Sequence, residues 1–140
     1  MGKPILCLDF DGVVHSYSSG WHGAGVVSDP PVPGAIVFLK EATAHFRVAI
    51  FSSRSHQPGG VRAMQRWLED HVRSVEAEAA GRHLSVATRA PAWLDAVEWP
   101  TEKPSALVTL DDRAITFDGT WPDVGVLLNF EPWNKKRPAA

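Results

Sequence analysis

Short apolar runs alternate with helical stripes along this chain. Ile5-Leu6-Cys7-Leu8 is continuously apolar, as in a strand of a parallel sheet buried on both faces. Similar runs predict strands over Pro4–Leu8, Arg47–Phe51, His83–Ala87, Ala106–Leu110 and Val124–Asn129. Between the first two, Gly34–Phe46 carries Ile36, Leu39 and Phe46 at helical spacing, with Lys40 and Glu41 off that face. From Gly60 to about Glu78, Val61, Met64, Trp67, Leu68, His71, Val72 and Val75 mark one stripe of a longer helix. A shorter helix is predicted over Ala92–Val97, behind Pro91. Strands alternating with helices imply βαβ units, hence an α/β fold in three layers around a mainly parallel five-stranded sheet.

One segment fits neither period. His15–Pro33 is rich in serine and glycine and closes on Asp29-Pro30-Pro31-Val32-Pro33. A loop this long in a compact domain is usually functional. It leaves directly from two aspartates, so a flap over a site (about 13–33) is expected, with prolines stiffening its return into the first helix.

Composition narrows the class. The 140 residues suit a single domain, placed at 1–131, with a basic tail at 132–140 that ends Lys-Lys-Arg-Pro-Ala-Ala. A net charge of −2 argues against a global pull toward nucleic acid but permits a local basic patch. Cys7 is the only cysteine and sits inside an apolar run, so it reads as a core residue in a reducing compartment. No apolar stretch is long enough to span a bilayer, and Asp9 comes too early for a signal peptide; the expected location is cytoplasmic, with no membrane partner.

The chemistry gathers where apolar runs end. Asp9 and Asp11 follow the first strand on the same side of the chain, and Gly12 lets the backbone turn away. Two carboxylates so close repel unless a proton or cation lies between them, and the pair suits Mg²⁺ with an accompanying phosphate. Asp-x-Asp-Gly also makes plain turns, which would not explain the buried run before it. Val48-Ala49-Ile50-Phe51 runs into Ser52-Ser53-Arg54 and then Pro58-Gly59-Gly60. The hydroxyls and the guanidinium suit a phosphoryl group, although a helix cap or serine turn has the same look. Leu107-Val108-Thr109-Leu110 ends in Asp111-Asp112-Arg113, carboxylates able to complete a metal site or form a solvated turn. Lys103, upstream, would supply counter-charge if it joined them. In the flap, His15, Tyr17, Trp21 and His22 are candidates for stacking on a base or sugar, or for packing.

Together these features resemble the haloacid dehalogenase (HAD) superfamily of phosphohydrolases. LDFDGV is similar to its first motif, FSSRS to its second, EKPSA to its lysine motif and LVTLDD to its fourth, in the family's order from about Ile5 to Asn129. The resemblance implies a Rossmann-like fold and a magnesium-dependent phosphomonoesterase. In it, Asp9 is the nucleophile, Asp11 the acid/base, Ser52 the hydroxyl donor and Lys103 the steadying cation. It implies Mg²⁺ held by Asp9, Asp11 (through its carbonyl) and Asp112, with Asp111 in support or the two exchanged. Ser53, Arg54, His15 and Trp21 are the expected substrate contacts. There is no room for a large cap domain, so the site should be open to bulky phosphates. Ser52-Ser53-Arg54 looks like the turn in polynucleotide 3′-phosphatase domains, and LDDR resembles the fourth motif of 5′(3′)-deoxyribonucleotidases. The expected substrate is therefore a nucleotide or a nucleic-acid terminal phosphate. A sugar phosphate or other small metabolite is the alternative, as is a non-catalytic phosphate-binding accessory domain. Oligomeric state stays open.

Overall fold

The computed structural model describes residues 2–81 and 89–135. Three parallel strands, β1 (Ile5–Leu8), β2 (Arg47–Ile50) and β3 (Val108–Leu110), form a sheet in the order β2-β1-β3. The central strand pairs on both sides, Leu6 opposite Val48 and Val108, Leu8 opposite Ile50 and Leu110. That position explains the unbroken apolar run, since Leu6, Cys7 and Leu8 are all buried.

Helices α1 (Ala35–His45) and α2 (Gly60–Ala79) connect and cover the strands. Alternation turns Leu6, Leu8, Val48 and Ile50 to one face. There they join Ile36 and Leu39 of α1 and Met64, Leu68 and Val72 of α2 in one core cluster. The last three, at i, i+4 and i+8, are fully buried and form the seam by which α2 holds the sheet. Each such side chain contributes about 1.5–3 kcal/mol of burial. The helix begins at Gly60 because no other residue fits there: a Cβ would collide with the Arg54 carbonyl.

Beyond β2 the sheet has one more residue. After a 3₁₀ turn at Ala92–Ala96, Glu98 donates its N–H to Val48 (2.8 Å) and accepts from Ile50 (2.9 Å), a single parallel bridge. The helix expected at Ala92–Val97 is this tighter turn.

The five-stranded sheet is not formed among the described residues. The expected strand His83–Ala87 lies outside them, and Val124–Asn129 is helical, as α3 (Val124–Leu128). A strand there would need a neighbouring edge and cover for Val124, Val126 and Leu128, which are 77%, 61% and 85% exposed. The segment instead satisfies its backbone locally, with the N–H groups of Val126 and Leu127 on the Asp123 carbonyl. α3 buries no residue, so the described residues make a sheet with one covering helical layer, not three layers. No helix among them is long and apolar enough to cross a membrane.

Candidate active site

Parallel strands deliver their C-terminal ends to one edge, and β1 and β3 bring their carboxylates there together. Asp9 donates its N–H to the Leu110 carbonyl (2.9 Å), extending the β1–β3 pairing by one residue and fixing Asp9 beside Asp111. Gly12 has φ +83° and faces Asp112 so closely that a Cβ would meet its carboxylate. Gly12, after the first strand, is thus the seat of Asp112, after the third. One ligand oxygen each from Asp9, Asp111 and Asp112 lies within 4.8 Å of the others.

This cluster is electrostatically uneasy. Burial, and then Asp111 and Asp112 beside it, push the Asp9 carboxyl up to about 8, against an opposing hydrogen bond from the Phe10 N–H to Oδ1 (2.8 Å). An all-oxygen donor set that forces one member to hold a proton fits a hard divalent cation, which would replace that proton. Asp112 lines the adjoining cavity, whereas Asp111 is exposed and accepts the Arg113 N–H (2.8 Å).

The cavity, about 210 Å³, lies between the carboxylates, the serine turn and the flap. Ser52 and Ser53 line it at the end of β2. Ser52 is buried; its Oγ accepts the Arg54 N–H (3.2 Å), which leaves its hydroxyl proton free to donate into the cavity. Tyr17, Trp21 and Arg113 form the remaining wall. Tyr17 is the one non-glycine residue with positive φ (59°) among those described, a strained backbone of the kind found where a side chain must be aimed.

Two expected substrate contacts lie behind the cavity instead. Arg54 is fully buried, and all three of its guanidinium nitrogens donate hydrogen bonds. Its Nε and Nη2 grip Asp11 (2.9 and 3.1 Å), and its Nη1 donates to the carbonyls of Gly23 (2.9 Å), Ala24 (3.1 Å) and Val26 (3.0 Å). Trp21 covers the guanidinium at 4.7 Å. Arg54 therefore ties the flap to the acid rather than meeting a phosphate. His15 is buried among Phe10, Tyr17 and Trp67. Its Nε2 accepts the Asp29 N–H (3.1 Å), so Nδ1 carries the ring proton and donates to Asp11 (2.8 Å). Burial alone would raise the Asp11 carboxyl, but the hydrogen bonds from His15 and Arg54 hold it below its usual range. Asp11 lines the cavity, yet its carboxylate is not in the Asp9–Asp111–Asp112 cluster.

Lys103 is exposed, does not line the cavity and makes no hydrogen bond or ion pair with Asp9 or Ser52 among the described residues. Pro58-Gly59-Gly60 is not a phosphate cradle either, since the Gly60 N–H is taken by the Gln57 carbonyl (3.0 Å). Three participants had no local signal. Arg113 was visible only as the neighbour of the acidic pair. Asp29 receives Ser19 (2.8 Å) and braces the flap. Trp133, at the start of the tail, donates its indole N–H to the Gly12 carbonyl (2.9 Å) across 121 positions.

No protein-family model matches the chain, and no curated protein or solved structure matches it significantly.

Proposed function

We propose that this protein is a divalent-cation-dependent phosphomonoesterase of the HAD type, working through an aspartyl-phosphate, on a nucleotide or nucleic-acid terminal phosphate. The observation that supports it most is the convergence of Asp9, Asp111 and Asp112 beside a cavity that Asp9 and Asp112 line together with Ser52 and its free hydroxyl. Mg²⁺ is the proposed ion, held by Asp9 and Asp112 with Asp111 beside them; when bound it would offset charge on the phosphoryl oxygens.

In the proposed reaction the free oxygen of Asp9 attacks phosphorus, and the bond to the leaving oxygen breaks in line. Ser52 donates to a phosphoryl oxygen, and Arg113 supplies the positive charge that the family resemblance gives to Lys103. Asp11, held ionised, is set to take the proton of the water that hydrolyses the acyl phosphate, while the leaving oxygen of the first step takes its proton from solvent. His15 and Arg54 keep its carboxylate pointed. Tyr17 and the outer face of Trp21, half exposed beside the cavity, offer aromatic surface to a base, which favours a nucleotide over a sugar phosphate.

The test is phosphate release with Mg²⁺ from 3′- and 5′-mononucleotides, 3′-phosphorylated oligonucleotides, sugar phosphates and p-nitrophenyl phosphate. Nucleotide or oligonucleotide substrates should lead, and Asp9→Asn should lose about 10⁴-fold or more. Equal turnover by Asp9→Asn, or turnover in excess EDTA, refutes the mechanism.

A further inference from the structure

A second, roomier cavity of about 580 Å³ lies against the other limb of the flap. Gly25 and Val27 form its flap side; Arg62, Arg66, Asp70 and His71 of α2 form the other. Arg62 and Arg66 stand one helical turn apart, where like charges repel. Arg66 and Asp70 have the i, i+4 spacing of an ion pair but make none; Asp70 lies 3.8 Å from Arg73 instead. Neither Arg62 nor Arg66 has an ion-pair or hydrogen-bond partner among the described residues, while Arg47, Arg54 and Arg73 all do. Two unneutralised guanidiniums therefore face one concave surface on a chain whose net charge is −2.

We infer that this cavity binds a backbone phosphate of the same polynucleotide whose terminal phosphate enters the carboxylate site. The inference rests on the phosphatase reading above and names its substrate: a strand, not a mononucleotide. Chain connectivity sets the reach. Trp21 lines the first cavity and Gly25 the second, and four residues span at most about 14 Å at ~3.6 Å each. At ~3.4 Å per nucleotide along the axis of a stacked strand, that is at most about four nucleotides. The flap, pinned by Arg54 through Gly23, Ala24 and Val26, is the partition over which the strand passes. Planar forks suit phosphodiester oxygens, and Asp70, which also lines the cavity, lies 3.8 Å from Arg73 and pairs with neither fork.

The experiment measures binding and turnover separately. Fluorescence anisotropy follows a 3′-phosphorylated deoxydecanucleotide on the Asp9→Asn protein in Mg²⁺, over a salt series, with and without Arg62→Gln/Arg66→Gln. The double substitution should weaken binding at least tenfold and flatten the slope of log K against log salt by about 0.7, the value for one lost phosphate contact on a single strand. On an otherwise wild-type background it should lower the ratio of kcat/KM for the decanucleotide to that for p-nitrophenyl phosphate at least tenfold, with a dinucleotide much less affected. Unchanged affinity and slope overturn the inference, whether or not phosphate is released. Arginine-dependent binding without release from any substrate keeps the cavity and sinks the phosphatase reading. Both residues are exposed and their replacement leaves the core seam untouched, so folding of the variant is checked simply by its melting temperature.

Discussion

Asp9 concentrates the chemistry of this protein in one side chain, and its environment makes a stability prediction before any substrate is added. Its carboxyl is raised to about 8 in the fold against 3.8 in an open chain. Between those values the folded state holds a proton that the unfolded state has lost. Asp9's contribution to stability is therefore fully present below pH 4 and lost as pH rises through about 8. In EDTA the melting temperature should fall from pH 5 to 8.5 by more than in Asp9→Asn; Mg²⁺ should restore it at the alkaline end, and its binding near pH 6 should release about one proton. A melting temperature equally dependent on pH in both proteins would dismiss this account. Arg113 and Lys103 provide a second comparison. Arg113 lines the cavity with its side chain unpaired among the described residues and Lys103 does not line it, so Arg113→Ala should reduce kcat/KM by about 10²-fold or more and Lys103→Ala by clearly less. The reverse order would return the counter-charge role to the lysine.

Elements decide what the individual residues are for, and here the flap is the instructive one. The residues 15–33 form no helix or strand beyond single bridges, yet they are tied down at both ends of a buried chain running Asp29–His15–Asp11–Arg54 and back to Gly23, Ala24 and Val26. Arg54→Ala leaves Asp11 and three carbonyls without their donor, a loss on the order of 3–5 kcal/mol; Arg54→Lys keeps the charge but not the fork and should recover little. Limited proteolysis should then cut between residues 17 and 28 in both variants and not in the wild type. A flap that stays resistant would mean the tie is dispensable. The sequence made β1, β2, α1 and α2 legible because their side chains are sorted by the core, which imposes a period. It also made the aspartates and Ser52 legible because each ends a buried run. Arg54 and His15 were misplaced for the opposite reason: a guanidinium suits a phosphate and a carboxylate equally, and the three flap carbonyls that capture it carry no side-chain signal. Val124–Asn129 misled through its apolar composition, which reads as a strand only where a sheet edge is there to receive it.

At the scale of the whole molecule, the chain closes on its own beginning. The loop at Asp11–Gly12 is held by β1 on one side, by Asp112 packed against Gly12 on another, and by the indole of Trp133 on the Gly12 carbonyl. The tail expected to start at Pro132 is thus part of the site as far as it is described: Pro132 is buried and Trp133–Lys135 form a 3₁₀ turn over the loop. Most of the chain from Leu107 to Trp133 is otherwise loosely packed, with Leu107, Trp121 and Leu128 70–85% exposed. Few apolar contacts therefore hold this segment in place, and its anchorage falls to β3 and the Trp133 bond. Trp133→Phe tests that division, because it keeps an aromatic ring and removes only the donor. Losing one hydrogen bond costs about 0.5–1.5 kcal/mol, and the effect should be local. Hydrogen exchange should rise at 120–135 and at the Gly12 loop while the protected amides of α2 stay unchanged, and Mg²⁺ affinity should fall severalfold as Asp112 loses a fixed seat. Uniform loss of protection across α2 would show instead that the segment folds with the core. No change at Gly12 would show that the loop is held by β1 and Asp112 alone.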